Sequence, residues 1–224
     1  MISRLVFQTF IWFGVMGALM FLSAGTLQWT AAWVYIVVMV GLSLTMGVAL
    51  ARRDPGLMNE RLRPPIQKTQ TAADKILLSI LLLGIFAWLV LMGLDTRFGW
   101  SAAPVWVQVI GALVLLVGIW ICYLTMLENS FAAPVVKIQD ERGQKVITTG
   151  PYGYVRHPMY AGAIVYFAGT ALLLGSWWGL AAVFAFILLL AIRTFIEEKT
   201  LRTGLQGYDD YAARVRYKLI PMVW

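Results

Sequence analysis

Apolar residues fall into long uncharged runs separated by short, basic, polar stretches. Residues 31–51, 76–94 and 102–127 contain no charged side chain, and 5–24 carries only Gln8 as a strongly polar interruption. An α-helix rising ~1.5 Å per residue needs about 20 apolar residues to cross the hydrocarbon core, so each run predicts one membrane-spanning helix. The run 159–192 is uncharged too, but it is much too long for one crossing, and Gly175-Ser176 interrupts it near the middle. It reads as a hairpin of two shorter helices over 159–196. The pattern therefore predicts an all-α integral membrane protein with about six membrane-inserted helices, the last two a short helical hairpin.

Composition agrees that lipid is the solvent. The chain is 60% hydrophobic and 13% charged, with 10 Trp in 224 residues, and a soluble domain of this length could not bury so much apolar surface. The first run follows Arg4 and ends near Ser23-Ala24-Gly25, as a signal peptide would. Its apolar part is longer than the ~7–15 residues of a signal h-region, which predicts an uncleaved anchor. Cys122, the single cysteine, lies inside a predicted span, and nothing around it suggests a metal site.

Charge gives an orientation. With six helices, all 18 basic residues except Arg97 fall on the side that holds both termini, and the positive-inside rule makes that side cytoplasmic. The three opposite turns carry Trp29 and Trp33, Trp100 and Trp106, and Trp177 and Trp178, residues whose rings favour the headgroup level. Topology thus accounts for the net charge of +7. No basic stripe stands apart from the membrane flanks, so no nucleic-acid partner is expected.

The chain divides into a four-helix transmembrane region, 1–127, and a region of chemistry, 128–224, made of a cytoplasmic loop, the helical hairpin and a cytoplasmic tail. The connection 52–75, with Pro55, Pro64 and Pro65, shows no catalytic constellation and reads as an interfacial loop. In the loop after the fourth span, 134–139 reads as an extended segment, 140–143 as a turn and 145–148 as a return strand, together a small hairpin.

The densest chemical signal is Gly150-Pro-Tyr-Gly-Tyr-Val-Arg-His-Pro-Met-Tyr-Ala-Gly162. Pro158 suits a first helical turn, because its missing N–H would lack an intrahelical partner anyway. A helix N-terminus then falls beside Arg156 and His157, where unpaired N–H groups, the helix dipole and a guanidinium make an anion site. Alone, Arg156 could be a snorkelling flank and His157 a structural histidine; together they are more specific.

The second signal is Glu197-Glu198, which opposes both the dipole of an outgoing helix and the basic bias of its side. Either the helix continues into water to Gly204, with Lys199 and Arg202 compensating, or the carboxylates face the anion site. Pro158 lies 17 residues before Gly175 and Glu197 lies 21 after Ser176. That difference is about one helical turn, ~6 Å, so the clusters lie at similar depth on adjacent helices. An anion pole facing carboxylates suits a zwitterion bearing hydroxyls, such as S-adenosylmethionine. No Gly-x-Gly-x-x-Gly follows a predicted strand, which argues against a Rossmann-type cofactor domain.

At these residues the chain resembles the isoprenylcysteine carboxyl methyltransferases and the related phospholipid methyltransferases. The resemblance rests on Gly150-Pro-Tyr, Arg156-His-Pro-Met-Tyr-Ala-Gly162, the hairpin, Glu197-Glu198 with Leu201, Tyr208, Tyr211 and Ile220-Pro221, and spans about 128–221. It implies methyl transfer from S-adenosylmethionine, in a cytoplasm-facing pocket, to a lipophilic or lipid substrate reached from the membrane. By the same resemblance His157, Pro158, Tyr160, Glu197 and Glu198 would line the cofactor pocket, with Tyr152 and Arg156 near its polar end. Arg156 and Glu198 are the candidate catalytic residues; Glu198 or His157 would take a proton from an amine or thiol acceptor. Sterol reductases, which use NADPH, share an Arg-His-Pro pattern and give a second reading. A membrane scaffold or small transporter is a third, disfavoured because no charged residue falls deep in a predicted span.

Overall fold

The computed structural model describes residues 1–67 and 70–224; Lys68, counted in the charge asymmetry, lies outside them. Eight α-helices follow in order: α1 (Ile2–Ala24), α2 (Thr30–Arg53), α3 (Pro55–Arg61), α4 (Ala72–Phe98), α5 (Val105–Glu128), α6 (Pro158–Leu173), α7 (Trp177–Gly204) and α8 (Tyr208–Arg214). Single 3-10 turns occupy Asp140–Arg142 and Gly150–Gly153. By length and composition α1, α2, α4, α5 and α7 are long and apolar enough to cross a membrane, and α6 is a shorter apolar helix of 16 residues. The chain is a multi-pass membrane protein.

The expected hairpin forms, with its bend at Gly175. That residue has φ 77°, a left-handed conformation that glycine adopts without steric cost. Ser176 then caps α7 by accepting from the Gly179 N–H at 2.8 Å. The second arm does not stop at 196: α7 runs 28 residues to Gly204, so Glu197 and Glu198 ride on continuous helix.

Between α5 and α6 the backbones touch. Gly118 on α5 meets Gly162 on α6, while Gly111 lies against the Leu172–Leu173 backbone and Gly169 against that of Val114–Leu115: a Cβ at Gly118 would lie 2.4 Å from the Tyr166 nitrogen, and one at Gly169 2.2 Å from the Leu115 nitrogen. Lipid offers no hydrophobic drive for helix pairing, so close approach of small residues is what holds such a pair. It fixes the start of α6 against the end of α5. Around it, Trp88 packs edge-on against Phe167 and Phe186 at 5.5 and 5.4 Å and donates to the Gly179 carbonyl at 2.7 Å, locking α4 to α6 and α7.

The small hairpin expected over 134–148 does not form, and no strand occurs among the described residues. Its turn is present, but side chains claim the flanking backbone. The Val136 N–H donates to Asp74 at 3.0 Å, the Pro134 carbonyl accepts from Arg193 at 2.6 Å, and the Gln139 N–H donates to the Gln144 side chain at 2.8 Å. These partners take backbone groups that a ladder would have used. The 52–75 connection contains α3, whose start is set by Pro55 and by Asp54 accepting from the Leu57 N–H at 2.8 Å. Leu57 and Met58 pack with Leu5 and Leu50.

Candidate functional site

Pro158 occupies the first turn of α6 and His157 is its N-cap, as the sequence predicts. The C-terminal tail pins this junction: the Arg156 N–H donates to the Tyr217 carbonyl and the His157 N–H to the Lys218 carbonyl, both at 2.9 Å. The Arg156 side chain is 7% exposed. Its Nε donates to Glu198 at 2.6 Å, and its Nη1 reaches the carbonyls of Val215, Arg216 and Ala212 at 2.8, 3.1 and 3.3 Å. Most of the guanidinium is thus engaged in tying α6 to α7 and the tail. Its Nη2 has no protein partner among the described residues.

The adjacent carboxylates separate, because successive residues of a helix point ~100° apart. Glu198 is buried, held by Arg156, by His157 Nε2 at 3.4 Å and by Lys218 Nζ at 3.9 Å. Glu197 accepts from the Tyr160 hydroxyl and lies 3.8 Å from His157 Nδ1. The His157 and Tyr160 rings are parallel, 5° apart, with centroids at 5.6 Å. A cavity of about 860 Å³, open mouth included, is lined by Tyr152, Arg156, His157, Pro158, Tyr160 and Glu197, by Val135, Val136, Val146 and Ile147 of the preceding loop, and by Tyr208 and Tyr211 of α8. Every expected site residue except Glu198 lines it; Glu198 stands behind its wall.

Residues 106–206 match the phospholipid methyltransferase family. This match bears out the resemblance read from the sequence and makes membrane methyl transfer the activity class. The methyltransferase segment covers α6, α7, nearly all of α5 and the loop between α5 and α6, and stops short of α8. No curated protein matches the chain.

Two residues beside this cavity were not among the expected site residues. Asp74, at 0% exposure, accepts from Gln70 at 2.8 Å, the Val136 N–H at 3.0 Å and Arg193 Nε at 3.1 Å. Arg193 in turn donates to the Pro134 carbonyl, and its guanidinium lies over the Tyr160 ring at 5.6 Å. The pair holds the 134–136 segment over the cavity. Its sequence trace is slight: Thr71 and Asp74 have N-cap spacing, with Thr71 accepting from the Asp74 N–H at 3.2 Å, but nothing local links them to Arg193.

The tyrosines of α8 complete the wall. Tyr211 donates to the Tyr152 carbonyl at 2.8 Å. Tyr208 is 4% exposed, and its hydroxyl is the one buried side-chain polar atom without a hydrogen-bond partner among the described residues. Burial pushes the phenols of Tyr152, Tyr208 and Tyr211 well up, and for Tyr208 the Glu198 and Glu197 carboxylates add to it. All three remain neutral O–H donors at physiological pH.

Proposed function

We propose that this methyltransferase takes its methyl group from S-adenosylmethionine, bound in the cavity at the start of α6, and transfers it to a lipophilic acceptor arriving from the membrane. The observation that carries this reading is the Tyr160–Glu197–His157 cluster opening onto the cavity, one carboxylate among aromatic rings. The unpartnered Tyr208 hydroxyl and Arg156 Nη2 fit the donor's carboxylate, and Glu197 fits its ammonium or ribose hydroxyls. Val135, Val136 and Ile147 offer an apolar surface to the adenine.

When bound, S-adenosylmethionine supplies a methyl carbon on a sulfonium. The chemistry it would supply there is displacement at that carbon, in which the acceptor's lone pair would form the new bond and the C–S pair would return to sulfur. The residues of the site then have to align the partners and keep water out, which the 133–147 loop and α8 do by covering the cavity. A carboxylate acceptor needs no base. An amine must lose a proton, for which Glu197 and His157 are the nearest cavity-facing groups. Glu198 keeps Arg156 and His157 in position. The basic bias supports a cytoplasmic site with both termini on that side.

Calorimetric titration of S-adenosylhomocysteine and of NADPH into purified protein tests this. We expect binding of the first alone, weakened about 10-fold or more by Glu197→Gln, with the thermal midpoint of the ligand-free protein little changed. Binding of NADPH alone, or of neither, overturns the proposal.

A further inference from the structure

The Asp74–Arg193 pair lines no part of the cavity, yet both members touch residues that do. Asp74 stands in the first turn of α4, fully buried. Its Oδ2 accepts from the N–H of cavity-lining Val136, and its Oδ1 accepts from Arg193 Nε. Arg193 is buried on α7, and Asp74 is the only carboxylate within 4 Å of it among the described residues. One guanidinium nitrogen is thus fixed by Asp74 and another, Nη2, by the Pro134 carbonyl. Two bonds to a planar group set its orientation. The guanidinium so held lies over the Tyr160 ring, 5.6 Å from the centroid, within reach of a cation–π contact. From the ring the contacts run on into the site: the Tyr160 hydroxyl donates to Glu197, and the ring lies parallel to that of His157. Asp95, the other buried carboxylate of α4, bonds Ser101 and Ser176, neither of which lines the cavity. Every lining residue falls within 129–211, whereas Asp74 comes from the N-terminal half, outside the 106–206 family match.

We propose that Asp74 and Arg193 are positioning residues for the site: Asp74 orients Arg193, Arg193 holds the Tyr160 ring, and Tyr160 sets Glu197 and His157 toward the cavity. The consequence for methyl transfer rests on the reading of the cavity as the donor site; the positioning itself does not.

His157 is the only histidine of the chain, so NMR of the full chain, labelled isotopically at histidine and purified without a histidine tag, gives one imidazole signal that reports on the Tyr160 ring. The neutral pair Asp74→Asn/Arg193→Gln leaves no charge unpaired and is expected to fold. In the ligand-free protein it should move the imidazole signal by more than its linewidth. It should also weaken S-adenosylhomocysteine binding about 3- to 30-fold. Arg193→Lys keeps a charge beside Asp74 but gives up the stacked plane, and should move the signal the same way by less. In a Tyr160→Leu background, which lacks the linking ring, the neutral pair should move the signal no further. An unmoved signal in the folded variants overturns the proposal, as it would for a pair that only ties α4 to α7. Movement that persists in full in the Tyr160→Leu background does the same, as does an unchanged affinity where the wild type binds. The imidazole readout needs no ligand: if the wild type fails to bind S-adenosylhomocysteine, the donor reading falls and the signal alone decides the positioning.

Discussion

At the end of the bundle that carries Trp100 and Trp177, the Asp95 carboxylate is 1% exposed and fully engaged. It accepts from the Ser101 N–H at 2.7 Å, the Ser101 hydroxyl at 2.6 Å and the Ser176 hydroxyl, while Ser176 also caps α7. At the opposite end Glu197 faces a cavity, and the Tyr208 hydroxyl is buried without a partner among the described residues. Buried polar groups normally find partners inside the protein, and a native structure leaves few exceptions. The Asp95 end therefore reads as a tie between two helix turns, and the Arg156 end as a place for something else to complete.

The strongest way to break this comparison is at Arg156. Arg156→Ala removes the closest partner of the buried Glu198 carboxylate and the donor to the Ala212, Val215 and Arg216 carbonyls, so we expect a stability loss of about 3–5 kcal/mol, read as a large fall in the thermal unfolding midpoint in detergent. Proteolysis of the 215–224 tail should accelerate in parallel. A near-unchanged midpoint would mean that Arg156 is a headgroup-facing flank. At the other end Asp95→Asn keeps the shape but weakens three hydrogen bonds, and about 1–3 kcal/mol of stability should go. S-adenosylhomocysteine binding by the folded fraction should stay at the wild-type value. Loss of binding in step with stability would show that the two ends are not independent.

The smallest effect has opposite signs in two measurements. Tyr208→Phe removes a hydroxyl that has nothing to bond in the ligand-free protein, so stability should hold or rise by up to about 1 kcal/mol. Affinity for S-adenosylhomocysteine should fall. An unchanged affinity would make the hydroxyl an unsatisfied group with no ligand role.

How far the sequence carried depended on how local the signals were. Spans, the Gly175 bend and the start of α6 at Pro158 were legible because hydrophobic run length and Pro/Gly chemistry act over a few residues. The juxtaposition of Glu197 with His157 followed from counting along two helices. Which carboxylate faces the cavity did not, because that depends on the rotation of α7, set by its packing with α4 and α6. The Asp74–Arg193 pair joins residues 119 apart, and no local pattern encodes it. The same pair explains why 134–136 is not a strand: a carboxylate from α4 takes the Val136 N–H that a ladder would have used. The Gly111/Gly118 and Gly162/Gly169 contacts were visible as residues but not as a pairing, since seven-residue spacing alone does not name the partner helix.

Transfer of labelled methyl from S-adenosylmethionine, by the purified full chain in lipid vesicles, tests the central claim most directly. The account predicts label in a lipid-extractable product, with production strongly reduced in Glu197→Gln and retained in Asp95→Asn at a temperature where both are folded. Folded wild-type protein that neither binds S-adenosylhomocysteine nor passes label to any lipid would contradict it.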